Sequence, residues 1–256
     1  MKAEQRRFEI MALIGKKNMV TIKELSKLFD INERTIRRDL NRLTEMGFLK
    51  RVHGGAEADS SEKILFNITL RGRKIEYTEE KRRIGEKASE YVQEGHTLFV
   101  LGGTTTLELV KQLPKDIHFR VITNFNPITE ALTEHENIEV HSTGGILNHL
   151  TDSFYGPHAE ALLQNLNIDT LFLGCSGVSI EKGLSTFDFK VAPLMVKVIG
   201  ISKKKILLVD SHKFQAESSL FFAPIEAVDI IITDHKIDPK IHEAFLNKGV
   251  QVVIVS

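Results

Sequence analysis

A single cysteine, Cys175, occurs in the 256 residues of the chain. An intramolecular disulfide is therefore impossible, and a cysteine-based metal site would lack its partners. No apolar run is long enough to span a bilayer, and the N-terminus is too charged for a signal peptide, so a soluble cytoplasmic protein is expected. Net charge is missing too, with 34 basic residues balancing 34 acidic ones. That balance conceals an asymmetry. Residues 1–58 hold 13 Lys and Arg against 8 Asp and Glu, a surplus of +5, which leaves 21 against 26, or −5, for 59–256. A basic head on an acidic body is the distribution expected when one domain meets a polyanion.

The basic head carries a short segment with two complementary faces, Thr35-Ile36-Arg37-Arg38-Asp39-Leu40. Ile36, Leu40 and Leu43 recur at helical spacing and predict a stripe packed on a core. Arg34, Arg37, Arg38 and Asn41 recur on the other side, and guanidiniums with an amide suit phosphates and base edges in a major groove. A solvated helix face would show the same charges, so the surroundings matter. Upstream, Thr21-Ile22-Lys23-Glu24 reads as a capping box opening a helix whose apolar face is Ile22, Leu25, Leu28 and Phe29. That helix stops near Asp30, and Asn32 is a natural N-cap for the arginine-bearing helix. Two helices joined so briefly predict a helix-turn-helix whose second helix enters the groove.

An earlier helix over 3–15, with Phe8, Ile10, Met11, Leu13 and Ile14, would close the small core. After Met46-Gly47 the period changes, and 48–53 reads as a strand ending at Gly54-Gly55, with 20–22 as a short pairing strand. The expectation is a winged helix-turn-helix, with Arg51 and His53 on the wing beside phosphates or a minor groove.

The remainder alternates. Segments 97–101, 119–123, 138–142, 170–173, 206–209, 230–233 and 250–255 read as strands, and 107–113, 127–133, 158–166, 191–199 and 239–246 as helices. The fold class predicted is α/β: a winged helix-turn-helix over 1–57, a connector over 58–80, and over 81–256 a larger domain with a mostly parallel sheet. Ligands of such sheets bind outside the carboxyl ends of the strands. The sharpest cluster there is Gly102-Gly103-Thr104-Thr105-Thr106, which offers close backbone approach, helix-start N–H groups and hydroxyls, and so suits phosphate. It is neither a Walker A loop nor a G-x-G-x-x-G fingerprint. Thr123-Asn124, Thr143-Gly144-Gly145, Gly174-Cys175-Ser176-Gly177 and Asp210-Ser211-His212-Lys213 close other strands. Lys213 would supply positive charge to a phosphate and Asn124 an amide to hydroxyls.

Residues 18–55, with Val20-Thr21-Ile22-Lys23-Glu24-Leu25, Thr35-Ile36-Arg37-Arg38-Asp39-Leu40 and Arg51-Val52-His53-Gly54-Gly55, resemble the DeoR family of bacterial transcription regulators. The resemblance continues through Glu80-Lys81, the 102–106 loop, Val121-Ile122-Thr123-Asn124, Gly183-Leu184-Ser185-Thr186 and Asp210-Ser211 with Lys213. It implies a C-terminal domain similar in fold to pentose-phosphate isomerases that senses a phosphorylated sugar or related metabolite. Gly102, Gly103, Thr104, Thr105, Thr106, Asn124, Gly144, Gly145, Ser176 and Lys213 would then line its pocket. Two departures stand out. Ile146-Leu147-Asn148 lacks the arginine commonly found in that segment, and Pro193-Leu194-Met195 replaces a charged Glu-Val-Lys, with Lys197 further on.

The reading that follows is a regulator of carbohydrate-metabolism genes, most simply a repressor, binding double-stranded operator DNA as a homodimer or homotetramer and controlled by a phosphorylated effector. No cofactor, metal, membrane contact or catalytic residue is expected. One alternative is an isomerase-like enzyme, but Ser176 stands where a carboxylate base would be needed. Another is a DNA-associated protein with an empty pocket.

Overall fold

The computed structural model describes Arg6, Ile10, Leu13, Ile14, Lys17 and residues 19–45, 49–57, 77–149, 151–186, 188–216, 218 and 220–256. Phe8, Met11, Phe48 and the connector through residue 76 lie outside the described residues. The chain divides into two compact units, Met1–Ile75 and Glu76–Ser256.

In the first unit, β1 (Met19–Thr21), α1 (Ile22–Phe29), α2 (Glu33–Glu45), β2 (Lys50–Val52) and β3 (Gly55–Glu57) follow one another. The Thr21 hydroxyl caps α1 by accepting from the Glu24 N–H at 3.1 Å. Glu24 answers by accepting from the Thr21 N–H, completing the capping box, and also takes the Lys17 ammonium. Asp30 ends α1 in the left-handed region at φ 52°, and Asn32 Oδ1 accepts from the Thr35 N–H at 2.8 Å to start α2. Ile10, Ile14, Val20, Ile22, Leu25, Ile36, Leu40, Leu43, Leu49 and Ala56 form the core.

Leu28 does not join that core and is 58% exposed. At about 100° per residue it lies well off the Ile22–Leu25–Phe29 stripe, so the expected apolar face is one residue narrower. The wing is a full hairpin. β3, which the periodicity did not reveal, lies between β1 and β2 and pairs antiparallel with both. A Cβ on Gly55 would stand 2.1 Å from the Val20 carbonyl oxygen. Gly55→Ala is accordingly expected to force β1 and β3 apart and cost at least about 1–3 kcal/mol, read as a lowered thermal midpoint of this unit.

The second unit is built on a seven-stranded, wholly parallel sheet ordered β15-β14-β12-β9-β4-β5-β6. Its strands are β4 (Thr97–Val100), β5 (Phe119–Thr123), β6 (Ile138–Ser142), β9 (Ile168–Leu173), β12 (Ser202–Leu208), β14 (Ile230–Asp234) and β15 (Gln251–Val255). The helices are α3 (Thr78–Ser89), α4 (Thr104–Val110), α5 (Asn126–Ala131), α6 (Pro157–Leu162), α7 (Ala192–Gly200) and α8 (Pro239–Asn247). Phe99, Leu171, Leu173, Leu207 and Ile231 meet Ala159, Leu194, Val198 and Phe245 in one large core. The alternate positions Leu98, Val100, Phe172, Ile206, Leu208 and Ile232 are buried as well, so both sheet faces are covered. α3, whose start falls inside the expected connector, packs against α4, where Gly85 admits the backbone of Glu108 and Leu109.

Two antiparallel additions were not anticipated. β7 (Ile146–Asn148) and β8 (Ser153–Tyr155) form a hairpin, and β10 (Gly177–Ser179), β11 (Gly183–Thr186) and β13 (Leu220–Ala223) form a small sheet. Their strands are too short for period-2 alternation to separate them from loops.

Candidate nucleic-acid interface and strand-end site

On α2, Ile36 and Leu40 point into the core while Arg34, Arg37, Arg38 and Asn41 stand exposed. Thr35 is half-buried beside its cap. Arg37 shares an exposed pair with Glu33 at 3.1 Å, one helical turn back. Arg34 and Arg38 form no ion pair with any described residue, so their charge is free for a partner. Arg51 and His53 are exposed at the wing turn, which Gly54 makes with φ +79°. The outer face of α2 and the wing turn are thus cationic, with the guanidiniums of Arg34, Arg37, Arg38 and Arg51 in solvent rather than folded back.

Asp39 behaves differently from its neighbours in the same segment. It is 1% exposed and accepts from Arg6 Nε at 2.6 Å, an ion pair inside the core that ties α2 to the N-terminal helical residues. Sequence periodicity places Asp39 off the polar face, and that off-phase position was the available signal.

In the larger unit, the sheet order reverses between β4 and β9: from β4 the chain steps outward through β5 and β6, then returns to the other side of β4. Loops leaving two adjacent strands in opposite directions open a crevice at their carboxyl ends. The Gly102–Thr106 segment leaves β4 there, and Gly174-Cys175-Ser176 leaves β9. Gly102 lies against the Phe125 ring, where a Cβ would be 3.0 Å away, so the backbone comes in close. Thr104 and Thr105 are 8% and 7% exposed at the start of α4. Thr106 is fully buried, its hydroxyl bonded to the Leu101 and Gly103 carbonyls at 2.7 and 3.0 Å, so it shapes the loop instead of facing a ligand.

Asn124 is likewise turned inward. It has no exposed surface, Oδ1 accepts from the Gly102 N–H at 3.2 Å, and Nδ2 donates to the Phe154 carbonyl at 3.3 Å. Expected to offer its amide to hydroxyls, it instead positions the glycine loop and β8, because both its polar atoms are already engaged. Gly144 and Gly145 adopt φ +59° and +104° past β6, the far edge strand. A Cβ on Gly145 would sit 2.6 Å from the Tyr155 carbonyl oxygen, so this glycine lets the β7–β8 hairpin fold back.

Ser176 is half-buried, its N–H donating to the Ser185 carbonyl at 2.8 Å. Beyond β12 a 3-10 turn, Ser211–Gln215, carries His212 and Lys213. Asp234 holds that turn: its carboxylate accepts from the Ser211 and Lys236 N–H groups at 2.7 and 3.0 Å. Burial pushes the Asp234 carboxyl up, but these backbone donors outweigh it and leave it below the ordinary carboxylate range. Burial pushes the Cys175 thiol up to about 12; the nearby Lys213 ammonium opposes that shift and Asp210 adds to it. Burial thus keeps the Cys175 thiol neutral, and Lys213 and Asp210 lie near enough to the end of β9 to act on it.

The departures at 146–148 and 193–195 have local structural roles. Asn148 Nδ2 and the Thr151 hydroxyl both donate to Asp188 Oδ2, at 3.0 and 3.1 Å, fastening the hairpin to the segment before α7. Pro193 sits in the first turn of α7, where its missing N–H costs nothing, and Met195 is 7% exposed in the core. Lys197 turns to α6, reaching the Glu160 carbonyl at 3.4 Å.

Known domains match both units. The DeoR-like helix-turn-helix domain matches residues 6–62 and the DeoR C terminal sensor domain residues 76–235. The chain belongs to the DeoR family. It is 33% identical to the HTH-type transcriptional regulator GlpR of Haloferax volcanii, over 97% of this chain and 96% of that protein. It is 32% identical to the putative aga operon transcriptional repressor of Escherichia coli O157:H7 (98% and 93% covered). The lactose phosphotransferase system repressor of Streptococcus mutans is also 32% identical, with 99% and 100% covered. Such full-length relatives make the chain a DNA-binding transcription regulator and remove the enzyme alternative.

Solved structures resembling it include a probable sor operon regulator from Shigella flexneri, at 11% identity and TM-score 0.44 over 62% of this chain and 87% of that one. Ribose 5-phosphate isomerase A from Neisseria gonorrhoeae follows at 18% identity and TM-score 0.40 over 55% and 54%. Similarity at that level carries no ligand or activity across. Among the described residues no helix is long and apolar enough to cross a membrane, and no group of side chains is arranged to hold a metal ion.

Proposed function

We propose that this DeoR-family regulator is a repressor of carbohydrate-metabolism genes, acting in the cytoplasm and released or strengthened by a phosphorylated sugar or related metabolite. The observation that carries the effector site is the reversal of strand order between β4 and β9, with the Gly102-Gly103 backbone on one side and Lys213 on the other. In this reading Gly103, Thr104 and Thr105 present N–H groups and hydroxyls to the phosphate, Gly102 lets the backbone come close, Lys213 supplies its positive charge, and Ser176 adds a hydroxyl. Asn124 and Thr106 hold the loop, and Gly144 and Gly145 set the neighbouring hairpin. On the DNA side, Arg34, Thr35, Arg37, Arg38 and Asn41 face the major groove while Arg51 and His53 meet the backbone beside it. The names of the aga operon and lactose phosphotransferase relatives support a carbohydrate role.

A two-fold assembly, dimer or tetramer, suits symmetric half-sites. Effector and operator then bias one equilibrium between arrangements, and each changes the other's affinity by the same factor.

Melting the purified chain with a panel of sugar phosphates tests the effector site. A ligand at 100 times its dissociation constant should add about 2.7 kcal/mol of stability, and Lys213→Ala should remove most of that gain. No response to any member of the panel would favour an empty pocket, and a full response in Lys213→Ala would take Lys213 out of the site. Sequencing genomic fragments retained by the protein identifies the operator, and fragments from genes unrelated to carbohydrate use would overturn that assignment.

A further inference from the structure

The seven-stranded sheet has two edge strands, β6 and β15, and they are built differently. β6 carries Glu139 and His141, which pair with each other in solvent and with Arg120 of β5. Charged side chains of that kind keep a sheet edge from pairing with another chain. β15 reads Gln251-Val252-Val253-Ile254-Val255, without a charge, a proline or a glycine. Only half of its backbone is used by the sheet. The Gln251 N–H donates to the Asp229 carbonyl at 3.1 Å, so Gln251, Val253 and Val255 turn their backbone groups to β14. Val252 and Ile254 alternate with them and direct their N–H and C=O groups outward. Among the described residues, nothing forms a hydrogen bond to these outward groups.

The side chains along this edge are apolar on both faces. Val252 packs on the large core, and Ile254 follows it on the same face at 43% exposure. α8, which packs against β15, adds Leu246 at 52% exposure. Val255 lies on the opposite face, beside Glu79 and Arg83 of α3. A second copy of the same strand, related by a two-fold axis at Val253, complements all of this. Antiparallel pairing in that register sets Val253 opposite its own copy as a non-hydrogen-bonded pair. Val252 then exchanges both bonds with the copy's Ile254, and Ile254 with the copy's Val252, which satisfies every outward group. Ile254 closes over the copy's Val252, and no like charges come opposite each other because the strand has none. A foreign extended peptide offers the backbone groups alone. The chain's own strand also brings the matching uncharged faces.

We propose that β15 is the edge through which two copies of this chain associate, joining two seven-stranded sheets into one across a two-fold axis at Val253. This rests on the two-fold assembly proposed above and assigns its surface. The junction uses only residues of the larger unit, so it forms with or without operator DNA.

The test uses the full-length protein in disulfide trapping, sedimentation and hydrogen exchange. Val253→Cys places two thiols on the axis with Cα atoms about 4.5 Å apart, within the range a disulfide bridges. Mild oxidation should convert most of it to a covalent dimer. Gln251→Cys should give little, since that position stands opposite the copy's Val255 and far from its own copy. The Cys175 thiol, held neutral by burial, stays out of the exchange. Ile254→Pro removes an outward N–H and no bond to β14, so it should keep the fold and weaken association by about tenfold or more. Ile254→Lys, which puts a charge at the same exposed position, should weaken it as well. No covalent dimer from Val253→Cys, or wild-type association in both Ile254 variants, overturns the assignment. If the wild type still sediments as a dimer or tetramer in that case, this assignment alone falls and the two-fold lies on another surface. A wild type that is monomeric at every concentration overturns the two-fold assembly and this junction with it. Slow amide exchange at Val252 and Ile254 that does not depend on protein concentration means that another segment of the chain covers β15, and overturns the junction too.

Discussion

Asp39→Ala is expected to destabilise the N-terminal unit by about 3–5 kcal/mol and to abolish operator binding, although Asp39 touches no base. The substitution leaves the Arg6 guanidinium, 5% exposed, without its carboxylate in a core of Ile10, Ile14, Ile36 and Leu40. Domains are stable by only about 5–15 kcal/mol, and one this small sits toward the lower end, so the loss unfolds much of it. Circular dichroism melts of the full chain should show an early transition for this unit, with the remaining helix and sheet signal melting as in the wild type. Replacing both partners with apolar side chains, as in Arg6→Met with Asp39→Leu, should recover most of the stability, because a buried ion pair is roughly offset by its desolvation. Wild-type melting in Asp39→Ala would mean that the pair does not hold α2 in place.

Arg38→Ala is expected to weaken DNA binding by about 1–3 kcal/mol with no loss of fold, and Arg37→Ala by an amount at the lower end of that range. Arg38 is exposed and forms no ion pair with described residues, so its charge goes fully to the nucleic acid. Arg37 must first leave Glu33, an exposed pair worth at most about 1 kcal/mol. Neither side chain supports the core, and surface substitutions of this kind change stability by about 0.5 kcal/mol or less. Gel shifts at two salt concentrations separate the roles. A phosphate contact lowers the slope of affinity against salt when removed, whereas a base contact changes sequence preference. Wild-type affinity in both variants at matched salt would mean that the exposed face of α2 is not the reading face.

The two predictions concern neighbouring residues of one hexapeptide, and they differ in how far the sequence alone could carry them. The outward arginines and inward Ile36 and Leu40 follow from helical spacing, a local property. Asp39 also falls off the polar face by spacing, but its partner Arg6 lies 33 residues away. Only folding brings the two together. Leu28 shows the reverse error: its apolar character suggested a place in the core, but its angle on α1 leaves it in solvent.

The strand-end site divides in the same way. Short apolar runs between helical patterns were sufficient to locate the strands of the large sheet to within a few residues, because the central runs, β4, β9 and β14, are buried on both faces. Asn124 and Thr106 had the chemistry of ligand contacts in the sequence, yet the fold uses their polar atoms on Gly102, Phe154, Leu101 and Gly103. Asp210, which the sequence placed at the close of a strand, emerged with buried oxygens that accept no hydrogen bond.

By itself, the sequence determined the two-part organisation, the period of each element, the cationic outer face of α2 and the glycine–threonine loop after β4. These depend on residues a few positions apart, whose angular spacing is set by the backbone. The tertiary structure alone decided the order of strands, the reversal beside β4, the insertion of β3 between β1 and β2, and which polar atoms found partners. Such features arise from pairing between distant segments, and no local pattern encodes whether a side chain will meet its complement.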